Sequence, residues 1–273
     1  VRAVSDDPGI HDDVVRETLQ WMAEADLSQS PPSFAQQIHR RLRTIATDGD
    51  PYRAAKDRQN QMALRLLPRL RAVVDGEDDP LETAVRLAVA GNAIDLGVEA
   101  DVTEADLGRA VEQALEQPLA GDYRGFRRAV ESAGSILYLA DNAGEIVFDR
   151  LFIETIMHNH VTFAVRGKAI LNDVTMEDAV SVGMDKVADV IPNGAGNPST
   201  VLANCSEDFL KVFYDADLII SKGQGNLEGL IDLNDPRIFF LLMAKCDVIG
   251  ERLGVEKGSF NVYNPQNKRY AKD

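Results

Sequence analysis

Cysteine is scarce in this 273-residue chain: Cys205 and Cys246 are the only two. Two are too few for a disulfide framework, and a pair of buried, reduced thiols in a cytoplasmic protein is the expectation instead. Long apolar runs are missing as well. The longest, 238–244, falls well short of the roughly 18 residues that a membrane span needs. No basic-then-apolar leader opens the chain, and position 1 is Val rather than Met, as expected of a trimmed or processed start. Positive charge is in deficit, with 29 Lys+Arg against 44 Asp+Glu and a formal net charge of -15. That balance argues against a nucleic-acid partner, which would want a basic stripe. Any anionic substrate must therefore meet local positive charge in its site.

What is present is an ordinary globular mixture, 45% hydrophobic and 27% charged, which excludes a disordered chain. Residues 1–120 read as an all-helical N-terminal part. Apolar residues recur at helical spacing over 14–25, a second amphipathic segment covers 34–47, and Pro51 opens a third that runs toward Leu67. The stretch 81–94 is apolar nearly all round and should be the buried helix of this half, and 101–116 adds another.

From Ser135 onward short apolar runs alternate with helical stretches, the pattern of βα units on a parallel sheet. Strands are predicted at 136–139, 161–165, 186–190, 218–220, 248–250 and 260–263, with helices at 144–157, 175–182, 206–214 and 237–244. The fold class is α/β: a doubly wound, mostly parallel, Rossmann-like sheet over 121–273 that carries the site, beside the helical part. In such sheets ligands bind outside the carboxyl ends of the strands, so the turns there are where chemistry is sought.

The first such turn is Asp141-Asn142-Ala143-Gly144-Glu145. Asn142 as a helix N-cap with Glu145 three residues on makes a capping box, which leaves Asp141 without a structural reason, since an unpaired carboxylate is costly to bury. The second, 166–175, contains Arg166, Lys168, Asn172 and Asp173 and ends at Thr175, whose spacing to Asp178 forms another capping box. If the two strands are neighbours, Asp141, Asn142 and Asp173 converge as hard oxygen ligands without sulfur or imidazole, a set that suits Mg²⁺ or Mn²⁺ better than zinc. The third turn, 221–226, places Lys222 among Gly223 and Gly225 before Asn226. A phosphate could sit on such backbone N–H groups with the lysine as a point charge, although a plain turn reads equally well. His158 and His160 end a helix and suit its dipole better than a metal.

These motifs, in order, resemble the damage-control phosphatase family, first described as domain of unknown function 89. The resemblance rests on Asp141-Asn142-Ala-Gly-Glu145 with Phe148-Asp149, on Asn172-Asp173-Val-Thr, and on Ser221-Lys222-Gly-Gln-Gly-Asn226. It extends to Asp50-Pro51-Tyr52 with Lys56 and Asn60, and to Gly91-Asn92-Ala-Ile94-Asp95. It is closest to the prokaryotic branch, although the Cys pair that many members carry on their first helix is absent. The resemblance implies a metal-dependent phosphatase acting on small phosphate monoesters, such as sugar phosphates or damaged phosphometabolites. It puts the divalent ion (Mn, Mg, Co or Ni) on Asp141, Asn142 and Asp173, and the phosphate-side lysine at Lys222. Asp141 and Glu145 join Lys222 as catalytic candidates, with Arg166, Asn226, Asn92 and Asp95 on the substrate side. The expected partner is thus a small phosphorylated metabolite, with no nucleic acid or membrane. Two rival readings are a carboxyl methyltransferase using S-adenosylmethionine, assigned to one eukaryotic branch, and a metal-binding protein without turnover.

Overall fold

A computed structural model of the chain describes residues 1, 4–26, 31–45, 49–93 and 104–266. Five helices come first: α1 (Pro8–Glu24), α2 (Pro31–Ile45), α3 (Arg53–Gly76), α4 (Pro80–Ala93) and α5 (Glu104–Glu116). The sheet region follows as β1 (Leu119–Gly121), α6 (Tyr123–Ser132), β2 (Ile136–Leu139), α7 (Glu145–Ile156), β3 (Val161–Val165) and α8 (Met176–Ser181). It ends with β4 (Asp189–Pro192), α9 (Glu207–Asp215), β5 (Leu218–Lys222), α10 (Gly223–Leu230), β6 (Ile238–Met243), α11 (Asp247–Leu253) and β7 (Phe260–Tyr263).

The strands form one sheet in the order β1-β7-β6-β5-β2-β3-β4. Every neighbouring pair is parallel except β6 and β7. Alternate side chains of the central strands feed two apolar layers. Tyr138, Phe163, Ile220 and Leu241 pack against Leu70, Leu87, Phe148 and Phe152 of the helices on one face. Leu137, Leu139, Ile219 and Phe240 pack against Phe209, Leu227 and Leu253 on the other. Burial on both faces explains why β2 is apolar at every position, as parallel strands covered by helices usually are. Residues of α3 and α4 belong to the first of these layers, so the early helices share a core with the sheet.

Two adjacent elements differ from the sequence reading. The run 237–244, predicted as a helix, is strand β6, and 248–250, predicted as a strand, lies inside α11. A short, continuously apolar segment has no period by which to tell a buried strand from a buried helix. In α11, Val248 faces solvent while Ile249 and Leu253, four apart, are buried, which is helical spacing. The strand predicted at 186–190 falls at Asp189–Pro192, after a 3₁₀ turn at Met184–Lys186. The short β1, which was not predicted, pairs with β7. Cys205 and Cys246 are free, as expected, but half-buried rather than buried. No helix among the described residues is long and apolar enough to cross a membrane.

Strand order reverses at β2: β3 and β4 lie on one side of it and β5 on the other. The crevice at the carboxyl ends of β2 and β5 is therefore the place where such a sheet opens to a ligand.

The core beneath that crevice is aromatic. Phe152 is fully buried, with ring centroids 6.1 Å from Phe126 and 5.9 Å from Tyr138. Phe152→Ala is expected to cost about 3–5 kcal/mol, the range for buried Phe truncations. Denaturant unfolding would read this as a lower midpoint with an unchanged m-value.

Candidate active site

Asp141 and Asn142 leave the carboxyl end of β2, and Asp173 lies on the loop that follows β3. The two segments are tied by an antiparallel bridge between Asn142 and Asp173, with Val174 N–H donating to Asp141 O at 2.9 Å. This bridge is what brings the predicted oxygen donors together. It also corrects the capping role expected of Asn142. Gly144, at φ +76°, takes the N-cap position without a side-chain bond, and α7 begins at Glu145. A left-handed turn of that kind suits glycine, and it leaves Asn142 on the extended side of the corner. The Thr175–Asp178 capping box is present as predicted.

Arg166 stands between the two aspartates. Its Nε donates to Asp173 Oδ2 at 2.6 Å, and its Nη2 lies 3.8 Å from Asp141 Oδ1. Its Nη1 donates to Asn226 Oδ1 at 3.1 Å and Thr200 Oγ1 at 3.3 Å. Asn226 in turn donates to Ala140 O at 3.0 Å, which fixes α10 against the end of β2. The Nη2 of Arg166 is buried without a hydrogen-bond partner.

Glu145 and Lys222 lie deeper. Both are fully buried. Lys222 Nζ donates to Glu145 Oε1, to Asp149 Oδ1 at 2.6 Å and to Ala88 O at 2.9 Å. The segment 221–226 is no open turn: β5 runs through Lys222, and α10 begins at once at Gly223, whose φ of +78° makes the corner. Lys222 therefore points into the layer between β5, α4 and α7.

Residues of α3 close the site from the helical side. Asn60 Oδ1 accepts the Gly144 N–H at 2.7 Å, and Lys56 Nζ bonds Asp178 at 2.8 Å and Asp50 at 2.7 Å. Burial opposes ionisation of Asp178, but Lys56 and the Thr175 groups outweigh it and hold that carboxyl below its usual range. The side chain of Asn92 and all of Asp95 lie outside the described residues. His158 stands apart, with Nε2 2.9 Å from Ala133 O. One rim residue escaped the sequence reading. Lys245, exposed at the end of β6, acts on the Asp141 carboxylate. Its position after a strand was hidden by the misassignment of β6.

Electrostatics mark the cluster. Burial, then Glu145 and Asp173, push Asp141 up to about 8 against the pull of Arg166 and Lys245. Burial likewise raises Asp173 despite its pairing with Arg166. Buried carboxylates that repel one another are a setting in which a divalent cation is favourable. Among the described residues no group of three or more His, Cys, Asp or Glu is placed to hold an ion. The donor set that fits is instead two aspartates and an amide, all oxygen. Beside it, a cavity of about 830 Å³ opens between the start of α3, the loop after β3 and the last residue of β4, with Asp50, Arg53, Asp57, Arg166, Lys168 and Glu177 on its walls. Arg166 is common to the cavity and the carboxylate cluster.

Fold and site together define a doubly wound α/β protein with an acidic, oxygen-donor centre at the point where the strand order reverses. Residues 2–260 match the damage-control phosphatase ARMT1-like domain, and the chain belongs to that family. It is 36% identical over 264 residues to a damage-control phosphatase of Archaeoglobus fulgidus, spanning 94% of this chain and 91% of the relative. It is 37% identical over 214 residues to one of Pyrococcus horikoshii, spanning 77% of this chain and 73% of the relative. The crystal structure of a DUF89 family protein from Pyrococcus horikoshii superposes with a TM-score of 0.88 at 31% identity, covering 97% of this chain and 93% of that one.

The raised Asp141 carboxyl has a measurable consequence. An aspartate in the unfolded chain titrates near 4, whereas folded Asp141 titrates at about 8. The folded state therefore holds the extra proton between these values, and stability falls as pH rises through that window. In chelator, the metal-free protein should lose thermal stability from pH 5 to pH 9. Asp141→Asn should flatten part of that decline and raise Tm at pH 9. Thermal unfolding of both proteins across pH checks this, and parallel curves would refute it.

Proposed function

We propose that the protein is a metal-dependent phosphatase that hydrolyses small phosphate monoesters. The observation that carries the reading is the convergence of Asp141, Asn142 and Asp173 across the β2–β3 carboxyl edge, with Arg166 between the aspartates. Asp141, Asn142 and Asp173 would hold a divalent ion, with Mg²⁺ or Mn²⁺ best matched to their hard oxygens. Such an ion supplies polarisation of a phosphoryl oxygen.

The remaining roles fall to the chain's own groups. Arg166 lines the cavity, and its buried Nη2, 3.8 Å from Asp141 Oδ1 but without a hydrogen-bond partner, is the donor that would bond a phosphoryl oxygen. Lys245 adds positive charge on the opposite rim, where Asp141 already feels it. These cations are needed in a protein of net charge -15, since a unit charge pair at 4 Å is worth about 4 kcal/mol at an effective dielectric near 20. They matter most as charge spreads over the equatorial oxygens. The cavity walls mix arginine and lysine with aspartate and glutamate, a lining that can bond a hydroxylated body such as a sugar. The names of the archaeal relatives agree with a phosphatase.

A phosphate-release screen of sugar phosphates and other phosphomonoesters, run in Mg²⁺, Mn²⁺, Co²⁺ and Ni²⁺, tests the reading. Turnover should require metal and stop in chelator. Asp141→Ala and Asp173→Ala should each abolish turnover and weaken metal binding while leaving the circular dichroism spectrum unchanged, because each removes one of only two carboxylates from the donor set. Either variant binding metal and turning over like wild type would sink the assignment. Methyl transfer from S-adenosylmethionine without added metal would replace it.

A further inference from the structure

A protonated lysine has three N–H donors and no more. In Lys222 all three are spoken for by Ala88 O, Asp149 Oδ1 and Glu145 Oε1, and the side chain is fully buried. Burial alone would discharge the ammonium, but Asp149 and Glu145 outweigh it and keep the charge in place. A phosphoryl oxygen could reach Nζ only by displacing one of these acceptors, which would add negative charge beside two buried carboxylates. Asp149 is itself held by Tyr138, whose hydroxyl donates to Oδ1 at 2.7 Å.

The same chain of bonds continues upward. The second oxygen of Glu145, Oε2, accepts from Asn142 Nδ2 at 3.3 Å, and that amide nitrogen also donates to Asp141 Oδ2 at 2.8 Å. Both amide hydrogens of Asn142 are thereby engaged by carboxylates. This orients the side chain with its NH₂ toward Glu145 and Asp141 and leaves Oδ1 as the end available to an ion.

We propose that Lys222 is a positioning residue of the metal site, acting through Glu145 on Asn142, and that it does not touch the substrate phosphate. The inference rests on the metal-dependent reading above. Groups that orient metal ligands from behind typically matter 10–100-fold in metal affinity, so the readout is Mn²⁺ binding measured without substrate.

The test uses the paired variant Lys222→Met with Asp149→Asn, which removes the cation together with one of its counter-charges. Mn²⁺ affinity should fall about 10–100-fold, while inhibition by inorganic phosphate at saturating Mn²⁺ stays within about twofold of wild type. Glu145→Gln should show the same split. Unchanged Mn²⁺ affinity, with or without lost phosphate inhibition, would overturn the assignment. A second measurement needs no variant: reductive methylation of the wild-type protein followed by mass spectrometry. Lys222 should remain unmodified with and without phosphate while exposed Lys245 reacts. Lys222 modified in the absence of phosphate and protected by it would overturn the proposal even if the variants fail to fold. Wild-type protein that binds no Mn²⁺ would overturn the metal-dependent reading itself, an outcome separate from a Lys222 result on protein that does bind it.

Discussion

Asp141, Glu145, Asp149 and Asp173 are buried together near the carboxyl edge of the sheet, and the buried cations that face them are Arg166, Lys222 and Lys56, whose Nζ donates to Asp173 O at 3.4 Å. Burying a charge is costly unless it is paired and hydrogen-bonded. Much of the local architecture answers that requirement. Arg166 is shared between Asp141 and Asp173 and held in turn by Thr200 and Asn226. Lys222 is shared between Glu145 and Asp149 and anchored to α4 through Ala88 O. Even so the carboxylates outnumber these cations, and Asp141 is left with its proton held well above the usual range.

Arg166 and Lys222 occupy different depths. Arg166 borders the open cavity and keeps one buried nitrogen without a hydrogen-bond partner. Lys222 faces the layer between α4, α7 and the sheet, with every donor used. Positive charge is thus divided by depth: the arginine lies at the cavity, and the lysine ties α4 and α7 to the sheet.

The sheet topology makes this division possible. Because β3 and β5 flank β2 on opposite sides, the turns after all three strands open on one crevice, and side chains alternating along β5 can point to opposite layers. Lys222 goes to the layer with α4 and α7, while Ile219 goes to the layer with α9 and α10. The early helices complete the enclosure, with Asn60 bonding the Gly144 corner and Lys56 bonding Asp178. Distant parts of the chain therefore hold the same few loops.

Local chemistry was enough to find much of this. The runs 136–139 and 161–165 are legible as strands because bounded β-branched and aromatic segments alternate with helical periods, and Asp141 and Asp173 stand out because carboxylates at strand ends lack a structural excuse. The Thr175–Asp178 cap was legible because both partners lie within one turn. What sequence could not supply was anything that depends on which layer a side chain enters. The 238–244 run carried no period, so β6 and the rim position of Lys245 were hidden. Gly144 rather than Asn142 takes the N-cap of α7, since Asn142 is held in a bridge to Asp173, a contact across 31 residues of chain. Lys222 reads from sequence as a lysine among glycines, and nothing local shows that three buried acceptors, each more than 70 residues away, use up its donors. Residue type and spacing determined which groups stand at the strand ends; only tertiary burial decided which of their donors and acceptors are used up, because hydrogen-bond capacity is consumed by whatever lies closest in space.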